Sequence, residues 1–196
     1  MSSPLINLEK YQIILASNSP RRKELLKGLG IIFRTRAADG LDESFPHDLH
    51  PASVAEFLAH KKADHYKKKM APDELIITAD TVVISGSEIL NKPSVRQEAI
   101  DMLTLLSGKT HEVITGVCLT TKHKQVAFSS VSDVTFCKLT PQEIAFYVDN
   151  YRPFDKAGAY GIQEWIGYIG VEKINGSFYN VMGLPVQKLY QELKKF

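Results

Sequence analysis

The segment Leu15-Ala16-Ser17-Asn18-Ser19-Pro20-Arg21-Arg22 places two cations where local physics disfavours them. Ser19 fits a helix N-cap and Pro20 the first helical position. A helix N-terminus is partially positive, so its first turn favours acids. This one carries Arg21 and Arg22, with Lys23 next. Free N–H groups, the hydroxyls of Ser17 and Ser19 and two arginines suit a bound phosphate. A solvated basic turn is the alternative. Asp80 is the second anomaly, a carboxylate inside the apolar run Leu75 to Ile84. Unpaired and buried, it would cost several kcal/mol (about 3 to 5). It therefore needs a cation, a metal or water. One reading is a metal ligand or general base at the carboxyl end of a strand. The other is a strand end or bulge where Asp80 caps backbone N–H groups.

Lys62 leans on the stripe Ala55, Leu58, Ala59, Ala63 and Tyr66, four residues from both Leu58 and Tyr66. Snorkelling to solvent explains it equally well. Lys92 precedes Pro93, which fixes an extended backbone. Glu43 stands in an acidic stretch that also reads as solvated surface. The run Asp155 to Gln163 is rich in Gly and Ala, which let backbone approach a ligand closely. Gln163 offers a donor and an acceptor, which suits reading a base edge. A tight structural turn is the alternative there. Arg21, Arg22, Lys62 and Lys92 with Glu43 and Asp80 make the combination that phosphates and a divalent cation require. The cations neutralise oxygens, and carboxylates hold Mg²⁺ or Mn²⁺ through few direct contacts.

Other signals fail. Gly108-Lys109-Thr110 resembles the end of a P-loop, but position 103 is Leu103 rather than glycine, and a helix precedes it. His47 with His50 and His60 with His65 lack zinc-site partners. No Gly-x-Ser-x-Gly elbow or cysteine–histidine signature is present.

The elements that must position these residues follow from periodicity. The pattern predicts strands over 11–16, 31–36, 74–85, 111–121, 126–136 and 168–174. It predicts helices over 20–29, 52–70 and 185–195. Ser85-Gly86-Ser87 reads as a hairpin turn into Ile89–Leu90. A capping box at Ser94–Gln97 opens a helix closed by Gly108, and Thr140-Pro141-Gln142-Glu143 opens another that runs to about Asn150. Residues 38–51 read as a polar loop. The elements do not strictly alternate, which favours a mixed sheet.

Length and composition fit one α/β domain of 196 residues, with or without two lobes. The net charge of +2 gives no field that points to nucleic acid or an anionic membrane. No stretch reads as a signal peptide or a membrane span, so a cytoplasmic protein is expected. Cys118 and Cys137 sit in apolar patterns and read as core residues. Asn175-Gly176-Ser177 matches a glycosylation acceptor that carries little meaning without a secretory signal.

Taken together, the segments resemble the Maf family of nucleoside triphosphate pyrophosphatases. They are residues 15–22, Asp42-Glu43, Lys61-Lys62-Ala63, Ala79 to Val83, Asn91-Lys92-Pro93, Ser107 to Val113, Asp155 to Gln163 and Asn180 to Pro185. The resemblance implies an α/β fold, a mixed sheet flanked by helices in an elongated two-lobed body with a central cleft. That architecture is related to the inosine triphosphatases. It implies metal-dependent hydrolysis of a nucleoside triphosphate between the α and β phosphates, with Mg²⁺ or Mn²⁺. It puts the catalytic acceptor on Asp80, the metal-site glutamate on Glu43 and phosphate-binding cations on Arg22, Lys62 and Lys92. Specificity positions fall on Arg21, Thr81 and Gln163, a combination similar to the branch acting on dTTP and UTP. Modified pyrimidine nucleotides are within its scope. Asn18 and Asn91 depart from common family residues without removing a functional side chain. A 7-methyl-GTP pyrophosphatase and a non-catalytic nucleotide-binding regulator of septum formation are the alternatives. Whether the chain forms a homodimer is open.

Overall fold

The computed structural model describes residues 4–36 and 41–196. Asp39, part of the expected acidic loop, lies outside them. The strands are β1 (Gln12–Leu15), β2 (Arg34–Thr35), β3 (Glu74–Ser85), β4 (Glu88–Leu90), β5 (Thr110–Thr120), β6 (Gln125–Phe136) and β7 (Val171–Asn175). They form one seven-stranded sheet in the order β2-β1-β3-β5-β6-β7, with β4 on β3. The sheet is mixed, as the sequence predicts: β1 is parallel to β2 and β3, whereas β4 pairs antiparallel with β3 and β7 with β6.

The chain divides into two compact units, each discontinuous in sequence. The first comprises Met1–Asp80, Thr115–Ser130 and Gly183–Phe196. It holds the helices α1 (Pro20–Gly28), α2 (Pro51–Lys67) and α7 (Val186–Leu193). Ser19 caps α1 as expected, its hydroxyl accepting from the Arg22 N–H, with Pro20 in the first turn. The α2 cap is His50, whose imidazole accepts from the Ala52 N–H. The helix crosses β5 at Gly116, where a Cβ would lie 2.3 Å from the Ala55 carbonyl. Its Ala59 and Ala63 pack on Cys118, while Tyr66 and Met70 close over Ile14 and Ile76. β2 is only two residues long, because Ile32 is 93% exposed and no apolar face holds residues 31–33 in the sheet.

The second unit comprises Thr81–Ile114 and Val131–Met182. It contains α3 (Arg96–Leu106), α4 (Pro141–Tyr151), α5 (Trp165–Gly170) and α6 (Phe178–Val181) around a continuous apolar core. Thr140 and Glu143 form the reciprocal capping box that the sequence predicts for α4. The box expected at Ser94–Gln97 does not form. Val95 is the N-cap without a side-chain bond, and the Ser94 N–H instead donates to Glu98. Residues 165–170 are helical rather than the start of a strand, and the strand begins only at Val171. Gly167 packs so close to the Ile162 carbonyl, five residues earlier, that no Cβ fits. Cys118 is buried as expected, but Cys137 is only half-buried.

Candidate functional site

In the first unit, three elements converge on one ammonium group. Lys62 Nζ lies 2.5 Å from Asp80 Oδ1 and 2.8 Å from Glu43 Oε1. Lys62 comes from α2, Asp80 from β3 and Glu43 from the segment before α2. The helix is registered on the strand by Thr78, whose hydroxyl donates to the Ala59 carbonyl at 2.7 Å with no solvent exposure. Thr78 precedes Asp80 by two residues, and Ala59 precedes Lys62 by about one turn. One buried hydrogen bond therefore sets the reach from lysine to aspartate. Lys62 does not snorkel to bulk water. Its side chain is 13% exposed and that of Asp80 14%, against 48% for Glu43. An ion pair this enclosed is weakly screened, so removing one partner leaves a costly unpaired charge.

Asp80 does not sit at the strand end. It lies inside β3, which runs from Glu74 to Ser85. The parallel pairing with β1 stops at Ile77, and the antiparallel pairing with β4 starts at Val83. Asp80 thus falls in the interval between the two pairings, past the carboxyl end of the parallel segment.

Arg22 joins this cluster from α1. Its Nη1 donates to the Ala79 carbonyl at 3.0 Å and its Nε to the Gly183 carbonyl at 2.8 Å. Burial pulls the guanidinium below its ordinary pKa, and the field of Asp80 opposes that shift. Arg21 adds to the lowering, and Glu43 opposes it. The four residues therefore share one electrostatic environment. The serines serve the turn itself: Ser17 is buried and its hydroxyl accepts from the Ser19 N–H at 3.2 Å, while Ser19 caps the helix.

The remaining expected site residues belong to the second unit. Thr81 follows Asp80 directly and is half-buried, and Lys92 is exposed in the segment between β4 and α3. Gln163 occupies the third position of a turn closed by the Glu164 N–H donating to the Gly161 carbonyl at 2.9 Å. Its Oε1 is buried and has no hydrogen-bond partner among the described residues. Such an acceptor costs about 1 to 3 kcal/mol until a donor reaches it.

The carboxylates of Asp80 and Glu43 are hard oxygen donors aimed at one point, which suits Mg²⁺ or Mn²⁺. No group of three or more His, Cys, Asp or Glu side chains that could hold a metal occurs among the described residues. A two-carboxylate site fits a cation that takes its remaining ligands from phosphate and water. Among the described residues, no helix is long and apolar enough to cross a membrane.

Sequence reasoning marked the segment that contains Lys156 but gave no role to Lys156, Tyr147 or Glu164, which hold the Gln163 turn. Tyr147 lies on the apolar stripe of α4 with Ile144 and Val148, so its type and spacing read as core.

Comparison with known proteins identifies the family and the fold. The family described as Maf, Maf-like protein, matches residues 12–196. A dTTP/UTP pyrophosphatase of Bacteroides thetaiotaomicron is 59% identical over 189 residues, covering 96% of this chain and 98% of that protein. One from Parabacteroides distasonis is 59% identical over 192 residues, covering 98% of this chain and 100% of that protein. In fold, the chain is similar to a HAM1 protein from Coxiella burnetii, with a TM-score of 0.51 at 14% identity over 95% of this chain and 100% of that one.

Proposed function

The chain belongs to the Maf-like family, and from that premise we propose that it hydrolyses dTTP and UTP to the nucleoside monophosphate and pyrophosphate with the help of a divalent cation. The observation that carries the reading is the single ammonium of Lys62 held jointly by Asp80 and Glu43. The relatives named for dTTP and UTP favour these bases over 7-methyl-GTP.

Asp80 is the proton acceptor for the attacking water. Lys62 holds its Oδ1, which leaves Oδ2 as the oxygen that takes the proton. Glu43 and Asp80 would together hold a divalent cation, which would supply charge neutralisation at the phosphate oxygens. Lys62 keeps the two carboxylates convergent and has phosphate oxygens as its alternative partner. Arg22 is fixed by two backbone carbonyls, so its charge is already in place before the triphosphate arrives. Lys92 adds a further charge for the phosphates. Arg21, Thr81 and Gln163 recognise the base. The buried Gln163 Oε1 is an acceptor without a donor, and the N3–H of uracil or thymine is a donor. Cytosine presents an acceptor at N3, so it meets the same atom with a lone pair. Such a polar mismatch discriminates more strongly than a missing methyl group does. The protein is expected to act in the cytoplasm on free nucleotides.

Pyrophosphate release from dTTP, UTP, CTP, GTP and 7-methyl-GTP, with and without Mg²⁺ or Mn²⁺, tests this reading. Cation-dependent release from dTTP and UTP is expected. Nucleotide binding without release from any of the five would reject it in favour of a sensor.

A further inference from the structure

The turn that carries Gln163 is tied down by groups that the expected chemistry does not use. The Tyr147 hydroxyl accepts from the Gly161 N–H at 3.0 Å and donates to a Glu164 carboxylate oxygen. One oxygen atom on α4 thus grips both ends of the Gly161–Glu164 turn, with Gln163 between them. The other Glu164 oxygen lies 3.0 Å from Lys156 Nζ, which also binds Asp155 at 2.7 Å. Tyr147 is fully buried and Lys156 nearly so. Gly161 is required for this arrangement, since a Cβ there would lie 2.8 Å from Glu164 Cδ and 3.0 Å from Lys156 Cε.

The approach to the turn is constrained as well. Gly158 and Ala159 are consecutive left-handed residues, at φ 67° and 58°. For Ala159 this conformation is strained, and it persists only where the surroundings over-determine it. Gly158 is packed on Val83, 2.9 Å from where a Cβ would begin. Burial and the Glu164 carboxylate push the Tyr147 hydroxyl above the usual phenol range, so it stays a donor at any working pH.

We propose that Tyr147, Glu164 and Lys156 are positioning residues that hold the Gln163 carboxamide in the orientation that selects uracil and thymine over cytosine. The proposal rests on the base-reading role given to Gln163 above. An amide distinguishes a donor from an acceptor only if it cannot swing to offer its other end. The Oε1 end of Gln163 makes no bond to the described residues. The orientation must come from the backbone beneath it, and Tyr147 fixes that backbone on both sides.

The test compares kcat and KM for UTP and CTP in the full chain and in three variants. Tyr147→Phe removes one oxygen and keeps the ring in the core. It is expected to raise KM for UTP and lower the UTP-to-CTP ratio of kcat/KM by about tenfold each, with kcat changed by less than about twofold. Thr140→Ala removes the cap of the same helix and destabilises it by about 1 kcal/mol. It is expected to leave the ratio unchanged, which separates positioning from a general loss of stability. Gln163→Ala is expected to abolish the preference. A Tyr147→Phe protein with the wild-type ratio, beside a Gln163→Ala protein that has lost it, overturns the brace and leaves the role of Gln163 intact. An unchanged ratio in Gln163→Ala overturns the base reading and the brace with it. Equal shifts in Tyr147→Phe and Thr140→Ala overturn the positioning role. Should Tyr147→Phe not fold, Glu164→Gln carries the same comparison.

Discussion

The Lys62 cluster of the first unit and the Gln163 turn of the second are built on opposite principles. Around Lys62 the side chains are charged and half-enclosed, and three separate elements bring them together. Around Gln163 the groups come from α4 and one short stretch, residues 155–164, and they hold the backbone beneath a neutral amide through a buried tyrosine hydroxyl and the Lys156–Glu164 ion pair. The difference matches what each region is proposed to meet. Phosphate and a divalent cation carry full charges, so strength comes from charge placement and small errors of angle are tolerated. A pyrimidine edge differs from its competitor by one donor against one acceptor, so recognition depends on direction and needs a rigid frame.

That contrast can be broken most forcefully at Asp80. Asp80→Asn is expected to lower kcat on UTP by at least about a thousandfold, because the proposed proton acceptor and the proposed cation ligand would both be lost. Circular dichroism and the thermal midpoint would establish that the variant is folded.

The second unit offers an acid-sensitivity test based on a buried histidine. His111 is buried against Phe136 and Tyr160, with Nε2 2.8 Å from the Tyr160 hydroxyl. Burial pulls its pKa down to about 4. Unfolded, it titrates near about 6.5, so between the two values the unfolded chain binds the extra proton. Its stabilising contribution is complete above that range and is lost as pH falls through it. Urea midpoints of the wild type should fall between pH 7 and pH 4 by the equivalent of at most about 3 kcal/mol from this group. His111→Gln should remove that part of the slope.

A smaller effect is expected at Arg22. Arg22→Lys keeps the charge but cannot hold both the Ala79 and Gly183 carbonyls as the guanidinium does. KM for UTP should rise by about tenfold with a smaller change in kcat. An unchanged KM would show that charge alone suffices, which would sharpen the contrast with the directional Gln163 site.

Much of this was legible in the sequence where local chemistry decides the outcome. Ser19-Pro20 and Thr140 to Glu143 start helices because side-chain caps and proline act within one turn. Asp80 and Lys62 were visible as charges against apolar neighbours. Their contact was not, since it depends on Thr78 and Gly116 seating α2 on the sheet. The helix at Trp165–Gly170 was illegible for a different, local reason. Its apolar residues suit a strand, and only the fit of Gly167 on Ile162 shows otherwise. The Tyr147 brace was hidden because a tyrosine on an apolar stripe reads as packing until its hydroxyl has a partner.

The most direct test of the account is the kcat for UTP and the UTP-to-CTP ratio of kcat/KM, measured together in Asp80→Asn and Gln163→Ala. The account predicts that Asp80→Asn loses turnover while keeping the ratio, and that Gln163→Ala loses the ratio while keeping turnover. A folded Asp80→Asn protein with near wild-type turnover would contradict it.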